Sequence, residues 1–326
     1  MAKWLGLPVV LVVDAHGMAR SAAALIQGFR TFDRDVAIAG VIFNRVGSAG
    51  HFRILADAVA DTPVLGWLPV NPSIEIPERH LGLFTAGEIT AAKIQELGPF
   101  VERHIDLDGI LARMAGMKAS IPRETKTQRH TGARVAIAYD RAFSFYYHAN
   151  RMALEQAGAE IVEFSLLADN DLPDADFLYI GGGYPELYRQ ELHSNISMRT
   201  AVRRFIESGK RFYAECGGLM YLAESIGGLE MVGILPARIE MTDRLVNFGY
   251  CEVATNAASI LGPAGTTARG HQFHYSRNTS AGGDAYQVMQ GKRRYSEGYI
   301  LKNGLASYVH LHFLSNPALA QNMLNS

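Results

Sequence analysis

Short runs of apolar and β-branched residues, each followed by a stretch with helical spacing, recur along this chain, and that alternation constrains its fold more than any other feature. "LPVVLVVDA" (7–15), "VAIAGVIFNRV" (36–46) and "TPVLGWLP" (62–69) have the continuous apolar character of strands covered on both faces, with "MARSAAALIQGFRTF" and "HFRILADAVAD" between them. Strands separated by helices build a parallel sheet, because every parallel connection has to cross back over it. A helical region follows at about 86–117, and then "KASIPRETKTQRHTG" (118–132), charged and poor in apolar residues, reads as a linker. The pattern resumes with "ARVAIAYD" (133–140), a helix near 144–157, "AEIVEFSL" (159–166), "DADFLYIGGGYPE" (174–186), the helix-like "MRTAVRRFIESG" (198–209) and "KRFYAEC" (210–216). Beyond about 230, short runs rich in Gly, Thr and β-branched residues predict antiparallel additions to the second sheet, and "NPALAQNMLN" predicts a closing helix. The expectation is an α/β chain of two domains, 1–118 and 133–326, joined by 119–132.

Charge and cysteine usage remove several classes of function. Lys and Arg number 31 against 32 Asp and Glu, so no basic field marks the chain for nucleic acid. The longest apolar stretch, "WLGLPVVLVV", is too short for a membrane span, and no cationic segment with a small-residue cleavage site precedes it, which predicts a cytoplasmic protein without a membrane partner. Two cysteines, Cys216 and Cys251, make no disulfide framework, and both are expected to be reduced.

In "RFYAECGGLMYLAES" an apolar strand ends, turns at the cysteine and departs as a helix. A corner of this kind strains the apical residue, lifts its side chain above the sheet and sets it at a helix N-terminus, where dipole and amides lower a thiol's pKa. Cys216 is therefore a candidate nucleophile. The bland alternative, a small buried hydrophobe, is what Cys251 in "FGYCEV" keeps, since no glycine turn follows it.

A nucleophilic thiol needs a base, and "SYVHLHF" (307–313) reads as a strand with Tyr308, His310 and His312 on one side and Val309, Leu311 and Phe313 toward the core. H-x-H is also metal-ligand spacing, with "RGHQFHYS" (269–276) as a source of further imidazoles, but no acidic or thiol cluster accompanies them and no metal site is assigned. Gly181, Gly182 and Gly183 follow a strand directly, so their amides, together with that of Gly217, are candidate oxyanion donors.

In this order and at these spacings, "IAYDRAFSFYYHAN", "YIGGGYPELY", "YAECGGLMYL", "RGHQFHYS" and "SYVHLHF" resemble the cobyrinate a,c-diamide synthases of cobalamin biosynthesis, and so do "PVVLVVDAHGMARSAAALIQGF", "GVIFNRVGS" and "PERHLGL". The resemblance implies a P-loop, dethiobiotin synthetase-like parallel-sheet domain followed by a flavodoxin-like class I glutamine amidotransferase domain. It implies ATP and Mg2+ as cofactors, L-glutamine as ammonia donor, and a corrin or related tetrapyrrole polycarboxylate as acceptor. Carried over residue by residue, Cys216 attacks the glutamine amide, His310 assists it, and His312 stands where related amidotransferases carry a triad acid. By the same resemblance Asn44 reads adenine. Asp14, at the end of the first strand, is placed for magnesium or a phosphate network, with helix capping as its bland alternative.

Two departures qualify the match. Gln272 stands where the family usually has Glu. No GxxxxGK[ST] string occurs, so the synthetase domain is expected to be incomplete, with its phosphate loop missing and the chain beginning about a hundred residues late against the family pattern. That keeps open a chain acting only as a glutaminase or as an inactive binding module, and a homodimer or a separate N-terminal segment as partner. Hydrogenobyrinate and nickel-sirohydrochlorin are alternative ring substrates. Cobyric acid synthases, with Y-L-H-G-L-F where this chain has "YVHLHF", fit less well.

Overall fold

The computed structural model describes residues 1–75, 91–114, 132–280 and 282–325, and the chain forms two compact units, Met1–Arg123 and Glu124–Ser326. "PERHLGL" and all but the last residue of the 119–132 linker lie outside the described residues.

In the first unit, β1 (Val9–Asp14), β2 (Ile38–Val46) and β3 (Val64–Pro69) pair in parallel in that order, with Asp14 opposite Asn44. One face is covered by α1 (Ser21–Phe32) and α2 (Ala49–Ala58), which bury Ala22, Ile26 and Leu55 against Val13, Val41 and Phe43. Ser48 caps α2 by accepting the N–H of His51, satisfying one of the amides a helix start leaves unpaired. The other face carries Ile42 and Leu65 beneath Ile105, Val101 and Ile110. Central β2 is covered on both faces, which is the reason it is apolar without alternation, whereas edge strand β1 leaves Val12 exposed. The helical region expected over 86–117 is, in its described part, two helices, α3 (Ala91–His104) and α4 (Leu107–Met114). The chain breaks between them where Ile105 bridges Gly66 of β3.

The second unit is built on a six-stranded sheet. Its strands are β4 (Arg134–Ala138), β5 (Glu160–Phe164), β6 (Phe177–Ile180), β7 (Arg211–Glu215), β12 (Tyr299–Leu301) and β13 (Gly304–Ser307), in the spatial order β12-β13-β7-β6-β4-β5. All neighbours are parallel except β12, which returns antiparallel on β13. Helices α5 (His148–Gln156), α6 (Ile196–Glu207), α7 (Gly217–Leu222) and α8 (Ala318–Leu324) complete the layers.

The late antiparallel strands differ from expectation. Only β12 and β13 join the main sheet. β8 (Asn247–Thr255), β9 (Thr267–His274), β10 (Tyr286–Gln290), β11 (Arg293–Glu297) and β14 (His310–Leu311) form a separate sheet in the order β11-β10-β8-β9-β14. The reason is a second hydrophobic core. Cys251, Val253, Tyr286 and Val288 alternate inward and pack with Val135, Ile137, Tyr179 and Tyr213 of the main sheet, so this layer covers a face that would otherwise meet water. Tyr179, Tyr213 and Phe313 meet there with ring centroids 5.4–6.0 Å apart. Ring pairs of this kind contribute roughly 0.5–1.5 kcal/mol each beyond the area they bury. The strand expected over 307–313 is interrupted: it serves the main sheet to Ser307, crosses over, and pairs with β9 only at His310–Leu311.

Candidate active site

Cys216 is the residue between β7 and α7, and its backbone is at φ 48°, one of three non-glycine residues with positive φ among the described residues. Its N–H donates to the Ser307 carbonyl at 2.7 Å, which fixes the corner to β13. Gly218 is what permits the turn, since a Cβ there would come within 2.2 Å of the Ile180 carbonyl oxygen. The corner predicted from the sequence is therefore present.

The thiol's charge state is not as predicted. Cys216 is only 6% exposed. Burial pushes the thiol up to about 12, with the nearby Glu186, Glu215 and Glu297 carboxylates adding to the rise and the Gly217 amide opposing it. A six-residue helix offers too little dipole to offset desolvation among acids. The resting group is a neutral thiol that needs a base to become a nucleophile.

His310 is also buried, and burial with the neighbouring His271 and His274 holds its imidazole down to about 3, so it is neutral. The Cε1 edge of its ring points at Gly182, where a Cβ would approach Cε1 to 2.3 Å, and one ring face stacks on His271 at 4.7 Å between centroids and 16° between planes. The two histidines are direct partners across β9 and β14. Tyr147 continues the row: its hydroxyl hydrogen-bonds Nδ1 of His271 at 2.7 Å, and its ring meets His312 edge-on at 5.1 Å. His312 is half-buried and its N–H donates to the Arg269 carbonyl. The side of the strand predicted to carry Tyr308, His310 and His312 is thus an aromatic row, with Tyr308 stacked on His274 at 4.1 Å.

The glycine loop divides its duties. Gly181, expected among the oxyanion donors, gives its N–H to the Tyr146 hydroxyl at 2.8 Å. Gly182 makes room for His310, and Gly183 brings its amide nitrogen to 3.1 Å from where a Cβ on Gly217 would stand. The backbones of Gly183 and Gly217 thus pack closely beside the Cys216 corner.

Glu215, immediately before the cysteine, escaped the sequence reading. It is 1% exposed, accepts from the Tyr179 hydroxyl and the Leu311 N–H at 3.0 Å each, and lies 3.8 Å from Nδ1 of His310. Burial raises its carboxyl to about 7, against the pull of the Tyr213 hydroxyl, the Leu311 N–H and the Tyr179 hydroxyl. A carboxylate set directly after the apolar run "FYA" and before the cysteine was the available signal. Gln272 points away from this group, accepting from Asn247 and from the Tyr295 hydroxyl at 2.9 Å, with its Nε2 buried and unpartnered. Cys251 is buried in the second core.

Residues 134–318 match the family of CobB/CobQ-like glutamine amidotransferase domains. The chain belongs to this family. Over its whole length the amidotransferase is 41% identical to a protein of Listeria monocytogenes serotype 4b named cobyrinate a,c-diamide synthase, covering 76% of that relative. It is 40% identical to proteins of the same name from Streptococcus sanguinis and Methanothermobacter thermautotrophicus, covering 75% of each. Among solved structures, PurLQS from Thermotoga maritima aligns over 59% of this chain and 98% of its own at 15% identity and a TM-score of 0.45, too remote to bear on function.

The nucleotide candidates lie in the first unit, and the structure brings them together at the carboxyl ends of β1 and β2. Arg45 holds both oxygens of Asp14, Nε at 2.9 Å and Nη2 at 2.6 Å, and lowers its carboxyl below the ordinary range. The Asn44 side-chain oxygen accepts the Arg45 N–H at 2.9 Å. A carboxylate already paired with a guanidinium and one amide do not compose a magnesium–triphosphate site. Among the described residues no group of three or more His, Cys, Asp or Glu is placed to hold a metal, and no helix is long and apolar enough to cross a membrane.

Proposed function

We propose that this amidotransferase hydrolyses L-glutamine at Cys216 and delivers the ammonia to the a and c acetate carboxylates of a cobyrinate-type corrin precursor. The names of the relatives support the acceptor, and ATP with Mg2+ to activate its carboxylates is what the family resemblance implies, with Asn44 as the adenine reader. No step of the glutaminase half depends on them.

The observation that carries the reading is the strained Cys216 corner, with Gly183 packed against Gly217 beside it and His310 packed against Gly182 of the same loop. In the proposed reaction Nε2 of His310 removes the thiol proton as sulfur attacks the side-chain carbonyl of glutamine, and the Gly183 and Gly217 amides receive the developing oxyanion. His310 then returns the proton to the departing nitrogen, which leaves as ammonia, and water hydrolyses the thioester to glutamate. Because thiol and imidazole are both neutral at rest, base and nucleophile form their charges together only when substrate is bound.

The test is labelling by 6-diazo-5-oxo-norleucine followed by peptide mapping, alongside glutamate release by wild type and Cys216→Ser. Labelling confined to Cys216 and loss of hydrolysis in the variant are expected. Equal labelling of Cys251, or undiminished hydrolysis by Cys216→Ser, would reject the assignment. Diamide formation from cobyrinate in the presence of ATP and Mg2+ tests the acceptor.

A further inference from the structure

Resting on that reading, we infer that Glu215 is the positioning acid of the site, a third member supplied by the residue before the nucleophile and not by the strand that carries the histidine. His312, two residues beyond His310, is the alternative, and it is turned onto the Tyr147 ring. Glu215 faces Nδ1 of His310 at 3.8 Å, about 1 Å longer than a hydrogen bond, and such contacts commonly tighten when substrate arrives. Its Oε2 faces the imidazole while also accepting from Tyr179, and its Oε1 is held by the N–H of Leu311, the residue next to His310. The carboxylate therefore faces the ring and holds the backbone beside it.

The consequence is control of the imidazole's tautomer. When Glu215 is ionised it accepts a proton-bearing Nδ1, leaving the lone pair of Nε2 for the thiol proton, and it stabilises the imidazolium that follows. When Glu215 is protonated it donates to Nδ1 instead, the imidazole proton resides on Nε2, and the base is lost. The groups around Glu215 are the buried Tyr213 and Tyr179 hydroxyls, together with Tyr146, Tyr147, Tyr286, Cys216 and His310. None of these is a cation at rest, so nothing but hydrogen bonds opposes the rise that burial imposes. Since the carboxyl titrates at about 7, activity should climb as pH passes upward through that value.

Glu215→Gln is isosteric and keeps an oxygen for Leu311 or Tyr179, but it has no charge. With the purified full chain, the expected result is a kcat for glutamine lower by at least about 100-fold, KM within about threefold, and loss of the limb near neutral pH. Glu215→Asp should retain the limb with an intermediate kcat, and it serves as the test if the Gln variant does not fold. A kcat within threefold of wild type with an unmoved pH profile, in either variant, overturns the inference. A merely structural role would lower the melting temperature without removing the limb, which also overturns it. Absence of Cys216-dependent hydrolysis in the wild type would instead overturn the proposed function, and this inference with it.

Discussion

Gly182→Ala is the sharpest single-atom test of the site, because the added methyl has one place to go. Its Cβ would stand 2.3 Å from Cε1 of His310, 3.2 Å from Nε2 and 3.3 Å from Nδ1. Carbon atoms pack at about 3.5–4.0 Å, so the ring must retreat by more than roughly 1 Å. The push runs along the ring plane from its Cε1 edge, and His271, stacked on one face at 4.7 Å between centroids and tied by Nδ1 to the Tyr147 hydroxyl, blocks a swing toward that side. The imidazole must therefore slide away from Gly182 and leave its present position. A displacement of about 1 Å at a reacting group can cost on the order of 100-fold in rate, and overpacking of a tight core costs about 1–3 kcal/mol. We expect kcat for glutamine hydrolysis, followed by glutamate release at saturating substrate, to fall about 100-fold, with a lowered melting temperature. Gly28→Ala, where a Cβ meets nothing within 4 Å, is the control and should leave both unchanged or slightly raise stability. A Gly182→Ala enzyme with kcat within threefold of wild type would show that the His310 ring is not the base.

Two further outcomes follow from the same geometry. His310→Ala should remove most hydrolysis, about 100-fold to 10,000-fold as general-base assistance is usually worth, while His312→Ala, half-buried and in contact with Tyr147 only by its ring edge, should cost less than tenfold; the reverse order in kcat would exchange their roles. Without glutamine, alkylation of Cys216 by iodoacetamide should keep rising with pH beyond 9 without a plateau, because the raised pKa leaves little thiolate at neutrality; a plateau reached by about pH 7, read by mass spectrometry of the modified peptide, would mean that the helix terminus outweighs burial after all.

Local chemistry was legible in the sequence. A strand that stops at Cys216 and restarts as a helix through two glycines can adopt few backbone paths, and the positive φ of Cys216 follows from the residues on either side of it. That β1, β2 and β3 pair in parallel was equally readable, since apolar strands separated by helices need crossovers over the sheet. What the sequence could not carry was whatever depends on residues distant in the chain. That Gly181 spends its amide on Tyr146, that His271 backs His310, and that Glu215 reaches its imidazole are results of how β7, β9, β14 and the glycine loop are stacked. Reading the second sheet as part of the first failed for the same reason: alternation shows that a strand has an inner face, not which layer that face will meet. The thiol's charge was decided there too. A helix N-terminus is a local property and favours thiolate, whereas desolvation is set by the whole core closing over Cys216, and in this protein desolvation is the larger effect.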